Sequence, residues 1–428
     1  MKELLKPATG RRNFLRKLAA GTAMTMTLPS LAIAGEAMMV PLPVLDGEAD
    51  ERYWSMVKNQ FAVPDQLMML NAANLCPAPY AITQAVQTTL GELGRDVSFQ
   101  SRDRFDLIRQ TALEKLAAYL GVSKDEVGIT RNTSESNNII VNGFDFKAGD
   151  EVILWDQNHP SNMVAWEQRA RRLGFTIRKV SVPAAPLSPD DLMAPFVKAV
   201  TPKTRLIAFS HISNLSGIAM PAKALCNWAR EKKILTLVDG AQSFGLVDLD
   251  LKDMSCDFYS GSTHKWLLGP LENGVLYVRK ENMERLWPTM ISAGWKDGSA
   301  TADEKYCIAG QRNETTPAAI PETIDFHLRI GKRNVEERVR ALNGYLRAQL
   351  ALKLPRTVFV SPPPGSQSGG ITVFNIPGKA SAEMFQKLYD TYGMACASTM
   401  GVRISPHIYN TLEDIDKVVD AVLNLADH

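Results

Sequence analysis

The stretch Tyr259-Ser-Gly-Ser-Thr-His264-Lys265-Trp266 gathers an amine, hydroxyls and an imidazole in one short run. Val238-Asp239-Gly-Ala-Gln242 precedes it by about two dozen residues and puts a carboxylate at the end of an apolar run. An amine can condense with an aldehyde, and a buried carboxylate can keep a ring nitrogen protonated. Those are the needs of pyridoxal phosphate, whose ring then acts as an electron sink. A buried carboxylate left unpaired costs several kcal/mol, so Asp239 is expected to meet a cation, and the ring nitrogen supplies one. Lys265, once substrate displaces it, is a free amine able to move a Cα proton. Both residues are catalytic candidates.

Elements must hold these groups in place. Strand and helix signals alternate from about residue 80 to 300, which predicts an α/β fold with a large, doubly wound, mostly parallel sheet. Val127-Gly-Ile-Thr130, Glu151-Val-Ile-Leu-Trp155, Thr176-Ile-Arg-Lys-Val180, Leu206-Ile-Ala-Phe209, Ile234-Leu-Thr-Leu-Val238 and Asn273-Gly-Val-Leu-Tyr-Val278 read as strands, and all but the first and last as buried ones. Arg109 to Leu120 carries helical spacing and stops at Gly121. A helix-rich stretch from about 317 to 352 leads to a small C-terminal α+β domain, where Val358-Phe-Val and Ile371 to Ile376 are strands around a Pro/Gly/Ser loop. Thr411-Leu-Glu-Asp414 opens the last helix with a capping-box pattern. The expected divisions are 35–79 as an N-terminal segment, 80–316 as the large domain and 317–428 as the linking helix and small domain. Ligands of such sheets sit beyond the C-terminal strand ends. Asp239, Lys265, His159, Thr133 and Ser134 all follow a strand in that way.

Composition sets further bounds. The chain has 428 residues, 45% of them hydrophobic, and a net charge of +2. That suffices for a large core and gives no reason to expect nucleic acid as a partner. The five cysteines, Cys76, Cys226, Cys256, Cys307 and Cys396, form no CxxC pair, so neither a zinc site nor a redox motif is supported. They read mostly as buried thiols. No Walker loop and no GxGxxG occur, which removes the nucleotide readings. Gly10-Arg11-Arg12-Asn13-Phe14-Leu15-Arg16-Lys17 resembles a twin-arginine export signal. An apolar run from Leu18 to Leu31 and the A-x-A site Ala32-Ile33-Ala34 follow. Cleavage is expected after Ala34, with the folded protein passed to the periplasm by the twin-arginine machinery and no membrane span remaining.

Asp239-Gly-Ala-Gln242 followed by Ser262-Thr-His264-Lys265-Trp266 resembles the class V aminotransferases, which include cysteine desulfurases, isopenicillin N epimerases and kynureninases. The resemblance runs from about residue 65 to 425. It implies the fold type I architecture, aspartate aminotransferase-like, with pyridoxal phosphate as cofactor. It implies that Gln242 meets the phenolic oxygen of the ring and that His159, in Asn158-His-Pro-Ser-Asn162, stacks on its face as a third catalytic candidate, with Asn162 nearby. A helix N-terminus favours a phosphate dianion, yet Thr and Ser are also common helix caps. Position alone leaves Thr133 and Ser134 open between the two, and the resemblance of Thr130-Arg-Asn-Thr-Ser-Glu135 to the family's phosphate loop favours phosphate. Ser262 and His264 resemble further phosphate contacts. Arg403, in Gly401-Val-Arg-Ile-Ser-Pro-His-Ile-Tyr-Asn410, resembles the arginine that grips the substrate carboxylate, whose two oxygens match its fork. Asn313-Glu-Thr-Thr316 partly matches a Gly-Thr pair whose threonine reaches the neighbouring subunit's phosphate, which implies a homodimer with shared sites. Asn74, in Met69-Leu-Asn71-Ala-Ala-Asn74-Leu-Cys76, is expected to face the substrate.

The reaction is less specified. Cys396 lies too close before Arg403 for the mobile cysteine loop of a desulfurase. Amino transfer needs the fewest added groups and is the favoured expectation. An epimerase, a C–S or C–C lyase and a non-catalytic binding protein are the alternatives. An exported enzyme of this family resembles the periplasmic enzymes that modify the glutamyl residue of pyoverdine-type siderophores, so a small-molecule or peptidic amine substrate is expected.

Overall fold

The computed structural model describes residues 42–427 apart from 46, 48, 294, 296 and 297. The export signal, its cleavage site and Gly35 lie outside the described residues.

In chain order the first strands are β1 (Met68–Met69), β2 (Val127–Thr130), β3 (Glu151–Trp155), β4 (Thr176–Val180), β5 (Thr204–Ser210), β6 (Leu235–Asp239), β7 (Phe258–Ser262) and β8 (Gly274–Val278). Strands β2 to β8 form one sheet in the order β2-β8-β7-β6-β5-β3-β4. The β4-β3-β5-β6-β7 part is parallel throughout, and β8 runs against both of its neighbours. Helices follow most strands, so both faces are covered. Alternate residues therefore serve opposite cores. Ile153, Ile207, Val238 and Tyr259 join one cluster, and Val152, Leu206, Leu237 and Phe258 join the other.

Two expectations need correction. β4 is not a buried strand. It is the sheet edge, with Thr176, Arg178 and Lys179 exposed, and charge on an edge discourages pairing with other chains. The helix that ends at Leu120 begins at Phe99 rather than Arg109, because Ser98 caps it by accepting from the Ser101 N–H. Its end at Gly121, with φ of 72°, is as read.

The C-terminal part contains β9 (Val358–Phe359), β10 (Thr372–Asn375), β11 (Met394–Ala395), β12 (Ala397–Ser398) and β13 (Val402–Ile404). Four of these form an antiparallel sheet, β12-β13-β10-β9, while β11 pairs in parallel with β1. The N-terminal segment is thus woven into the C-terminal part. Thr411 and Asp414 cap the helix Leu412–Asp427 reciprocally. Among the described residues no helix is long and apolar enough to cross a membrane. All five cysteines are buried free thiols.

Candidate active site

Asp239 is the last residue of β6, flanked by Ser210 of β5 and Ser260 of β7. It is 3% exposed. Its Oδ2 accepts from Asn137 Nδ2 at 2.8 Å and Asn162 Nδ2 at 3.1 Å, and its Oδ1 accepts from the Ala241 N–H at 3.1 Å. Ser260 Oγ donates to Asn137 Oδ1 at 2.7 Å and so fixes that amide's orientation. The expected cation is not supplied by the chain, since each of these donors is neutral. Such donors support an ionised carboxylate without cancelling its charge. The next residue has to be glycine, because a Cβ on Gly240 would fall 2.0 Å from the Tyr259 ring.

Lys265 lies in the loop after β7, clasped from three sides. Trp266 Nε1 donates to Gln242 Oε1 at 2.8 Å, and Gln242 Nε2 donates to the Ala73 carbonyl at 2.8 Å. The Cys76 N–H donates to the His264 carbonyl at 2.9 Å. His407 Nδ1 accepts from the Ile408 N–H, which leaves Nε2 as the donor to the Trp266 carbonyl at 2.9 Å. Gly245, with φ of 91°, lets the loop approach so closely that a Cβ there would lie 2.3 Å from the Leu267 nitrogen. Gln242 thus links Trp266 to the Ala73 carbonyl, and its amide keeps one further N–H hydrogen beyond these two bonds.

At the opposite end the helix Thr133–Gly143 begins. Its cap is Asn132, which accepts from the Glu135 N–H at 3.0 Å, and neither Thr133 nor Ser134 takes that role. The Thr133 N–H and hydroxyl both meet Ser262 Oγ, at 2.8 and 2.7 Å. First-turn N–H groups have no acceptor inside their helix, so this corner suits a phosphate. Ser134 Oγ meets Ser161 Oγ at 3.2 Å, and Ser161 meets His159 Nδ1 at 2.7 Å. His159 itself caps the helix Pro160–Leu173.

Arg403 sits on β13, 5% exposed. Its Nη1 donates to the Asn214 carbonyl at 2.9 Å and its Nη2 to Asn71 Oδ1 at 2.7 Å. Both acceptors are neutral, so this is not a structural salt bridge. Asn74 is exposed and its N–H closes a turn onto the Asn71 carbonyl. Asn71, not Asn74, is the residue of that segment brought to Arg403.

These groups bear on one another electrostatically. Burial lowers the Lys265 amine from its usual range, with Arg403 acting in the same direction and Asp239 and Cys76 against it. Burial, with Lys265 close by, holds His264 down to about 4, and lowers His159 as well. Burial brings Arg403 down to about 10. It pushes the thiols of Cys76 and Cys396 up to about 12, so both stay protonated. Cys76 lies against Tyr409, whose hydroxyl is 3.5 Å from its sulfur.

The residues present fit pyridoxal phosphate. Asn162 Oδ1, His264 Nδ1, Thr316 Oγ1 and Arg403 Nε are enclosed yet have no hydrogen-bond partner, whereas buried polar atoms are normally satisfied. A carboxylate held only by neutral hydrogen-bond donors, an amine whose charged form burial disfavours and a hydroxyl-lined helix start lie within one region. Thr316 begins a turn at Pro317–Ala319, its carbonyl accepting from Asn273 Nδ2 at 2.6 Å. Sequence reasoning missed Asn71, Asn137 and Ser161. Asn137 lies one helical turn beyond Thr133, and that spacing was the signal available for it.

The family model for class-V aminotransferases matches residues 78–418. Isopenicillin N epimerase of Amycolatopsis lactamdurans is 31% identical over 394 residues, covering 87% of this chain and 98% of its own. A probable cysteine desulfurase of Methanothermobacter thermautotrophicus is 28% identical over 386 residues, covering 83% and 94%. Among solved structures, the cysteine desulfurase of Thermococcus onnurineus superposes with a TM-score of 0.79 at 23% identity, covering 89% of this chain and 99% of its own. A C-DES variant with glycine covalently linked to its PLP cofactor gives 0.79 at 21%, covering 86% and 99%. The chain belongs to the class-V aminotransferase family, fold type I enzymes that work with pyridoxal phosphate.

Proposed function

We propose that this enzyme transfers or removes the amino group of a substrate that carries a free amine and a free carboxylate, and that it tailors a secreted metabolite in the periplasm. A glutamyl group, as in a pyoverdine-type siderophore, is the favoured substrate class. The observation that carries the reading is Arg403, a buried guanidinium held by neutral acceptors and close enough to Lys265 to lower its amine. A carboxylate paired with Arg403 would place the neighbouring amine toward Lys265.

Asp239 would hold the ring nitrogen of bound cofactor, Thr133, Ser134, Ser262 and His264 its phosphate, and His159 its face. When bound, the cofactor supplies the electron sink that makes the Cα proton acidic. Lys265, whose charged form burial disfavours, would accept that proton and deliver it to a new position. Thiol chemistry of the desulfurase kind finds no support in Cys76 or Cys396. A nucleophilic sulfur must be a thiolate, and burial disfavours that form in both. Epimerisation is the second reading, favoured by the name and 31% identity of the Amycolatopsis relative.

The export motif at Gly10–Lys17 supports the periplasmic reading. A homodimer is supported by Leu271, Trp287, Met290 and Ile291, large apolar side chains exposed on the single chain. The test is the visible spectrum of the purified mature protein. Bleaching of the cofactor band by glutamate or a glutamyl peptide, with recovery on adding a keto acid, supports amino transfer. A band that persists while the Cα proton exchanges with solvent deuterium supports epimerisation instead. Secreted metabolites left unchanged in mass by deletion of the gene would remove the tailoring role.

A further inference from the structure

Arg403 must hold its fork in one orientation to receive a carboxylate, and Asn71 sets half of that orientation through a 2.7 Å hydrogen bond. The Asn71 side is built into the fold. The Ser405 N–H donates to the Leu70 carbonyl at 2.8 Å, the Ala72 N–H to the Ser405 carbonyl at 3.0 Å and the Ala73 N–H to Ser405 Oγ at 3.1 Å. Asn71 is therefore in parallel register with Ser405, two residues beyond Arg403. The same segment runs on to Ala73 and Cys76, which hold Gln242 and the His264 carbonyl. One ladder thus positions both the carboxylate grip and the lysine loop.

Aspartate has nearly the shape of asparagine. At position 71 it would offer the same oxygen but add a negative charge against the guanidinium. We infer that Asn71 is a positioning and specificity residue, whose neutral amide oxygen orients Arg403 while leaving its charge free for a substrate carboxylate. This rests on the carboxylate reading of Arg403 given above.

The test is calorimetric titration of the holoprotein with glutarate, a dicarboxylate that has no amine to react. Wild-type protein, Asn71→Asp, Asn71→Ser and Arg403→Gln are compared at matched cofactor absorbance and melting temperature. Asn71→Asp weakens binding about tenfold or more, since a charge-assisted pair is lost to the substrate. Asn71→Ser weakens it less, and Arg403→Gln most. In turnover with an amino acid substrate, Asn71→Asp raises KM by a larger factor than it lowers kcat, as expected when binding of the unreacted substrate is lost. Wild-type affinity in both Asn71 variants, with binding lost in Arg403→Gln, overturns the proposal and leaves the Arg403 reading standing. Should Asn71→Asp not fold, wild-type affinity in Asn71→Ser alone overturns it. Failure of glutarate to bind the wild-type protein, or equal binding by Arg403→Gln, overturns both.

Discussion

Arg109 and Arg403 are equally hidden, at 6% and 5% exposure, and their surroundings are opposite. Arg109 forms a fork onto Asp303, with Nε to Oδ2 at 2.7 Å and Nη2 to Oδ1 at 2.5 Å, and Asp303 also accepts from the Ile129 N–H. Burial works against its charge, but Asp303 overcomes this and raises it above the ordinary range. Arg403 has carbonyl and amide acceptors in place of a carboxylate, and burial lowers it to about 10. The first charge is spent inside the fold. The second is kept available. Asp239 mirrors Arg403, a carboxylate served by amide and backbone donors and left uncompensated. The Lys265 amine responds to both, Arg403 disfavouring its charge and Asp239 favouring it.

The contrast can be broken at several points. The largest effect belongs to Asp303→Asn, which leaves Arg109 buried and unpaired. Urea unfolding should show a loss of about 3–5 kcal/mol, while glutarate affinity is retained. Arg403→Gln should stay within about 1 kcal/mol of wild type in the same assay, because removing a poorly solvated charge offsets the lost hydrogen bonds. Its KM for the amino substrate should rise by about ten- to a hundredfold.

Acid should act on the buried histidines, since both arginines are already protonated. His211, His327 and His407 are buried, and burial lowers them from 6.5 to about 4, 4 and 3. Below pH 6.5 the unfolded chain takes up protons that the folded one refuses, so stability falls as pH drops from 6.5 toward 4. The melting temperature should decline across that window and be flat just above it. The smallest effect is that of Asn74→Ala, expected to change stability and KM by no more than about 0.5 kcal/mol, as for an exposed surface side chain. Asn71→Ala, three residues away, should raise KM well beyond that.

That last pair marks where the sequence stopped being legible. Asp239 stands out in the sequence because a carboxylate closing an apolar run is costly without a partner, and Lys265 because an amine follows hydroxyls and an imidazole just past a strand. Arg403 could be read because its motif is local. The choice between Asn71 and Asn74 is made by a ladder with Ser405, more than three hundred residues away, as the separation of 332 between Ala73 and Ser405 shows. No local pattern reports that contact. β4 was misread because Thr176, Ile177 and Val180 are β-branched, as in a buried strand, while the exposed Arg178 and Lys179 belong to a sheet edge. Gln242 was legible as a site residue, yet its partner Trp266 emerged only when the loop after β7 folded back. Asn132 took the cap that Thr133 and Ser134 were suited to, which freed Thr133 to meet Ser262.

The central claim is that Arg403 keeps its charge for a ligand while Arg109 does not. The most direct measurement is the melting temperature of wild-type and Arg403→Gln holoprotein with and without saturating glutarate, since a ligand that binds only the folded state raises it. Near-equal melting without glutarate and a rise with glutarate in the wild type alone are expected. A variant that melts several degrees lower without glutarate, yet is stabilised by it as much as the wild type, would contradict it and make Arg403 another structural charge.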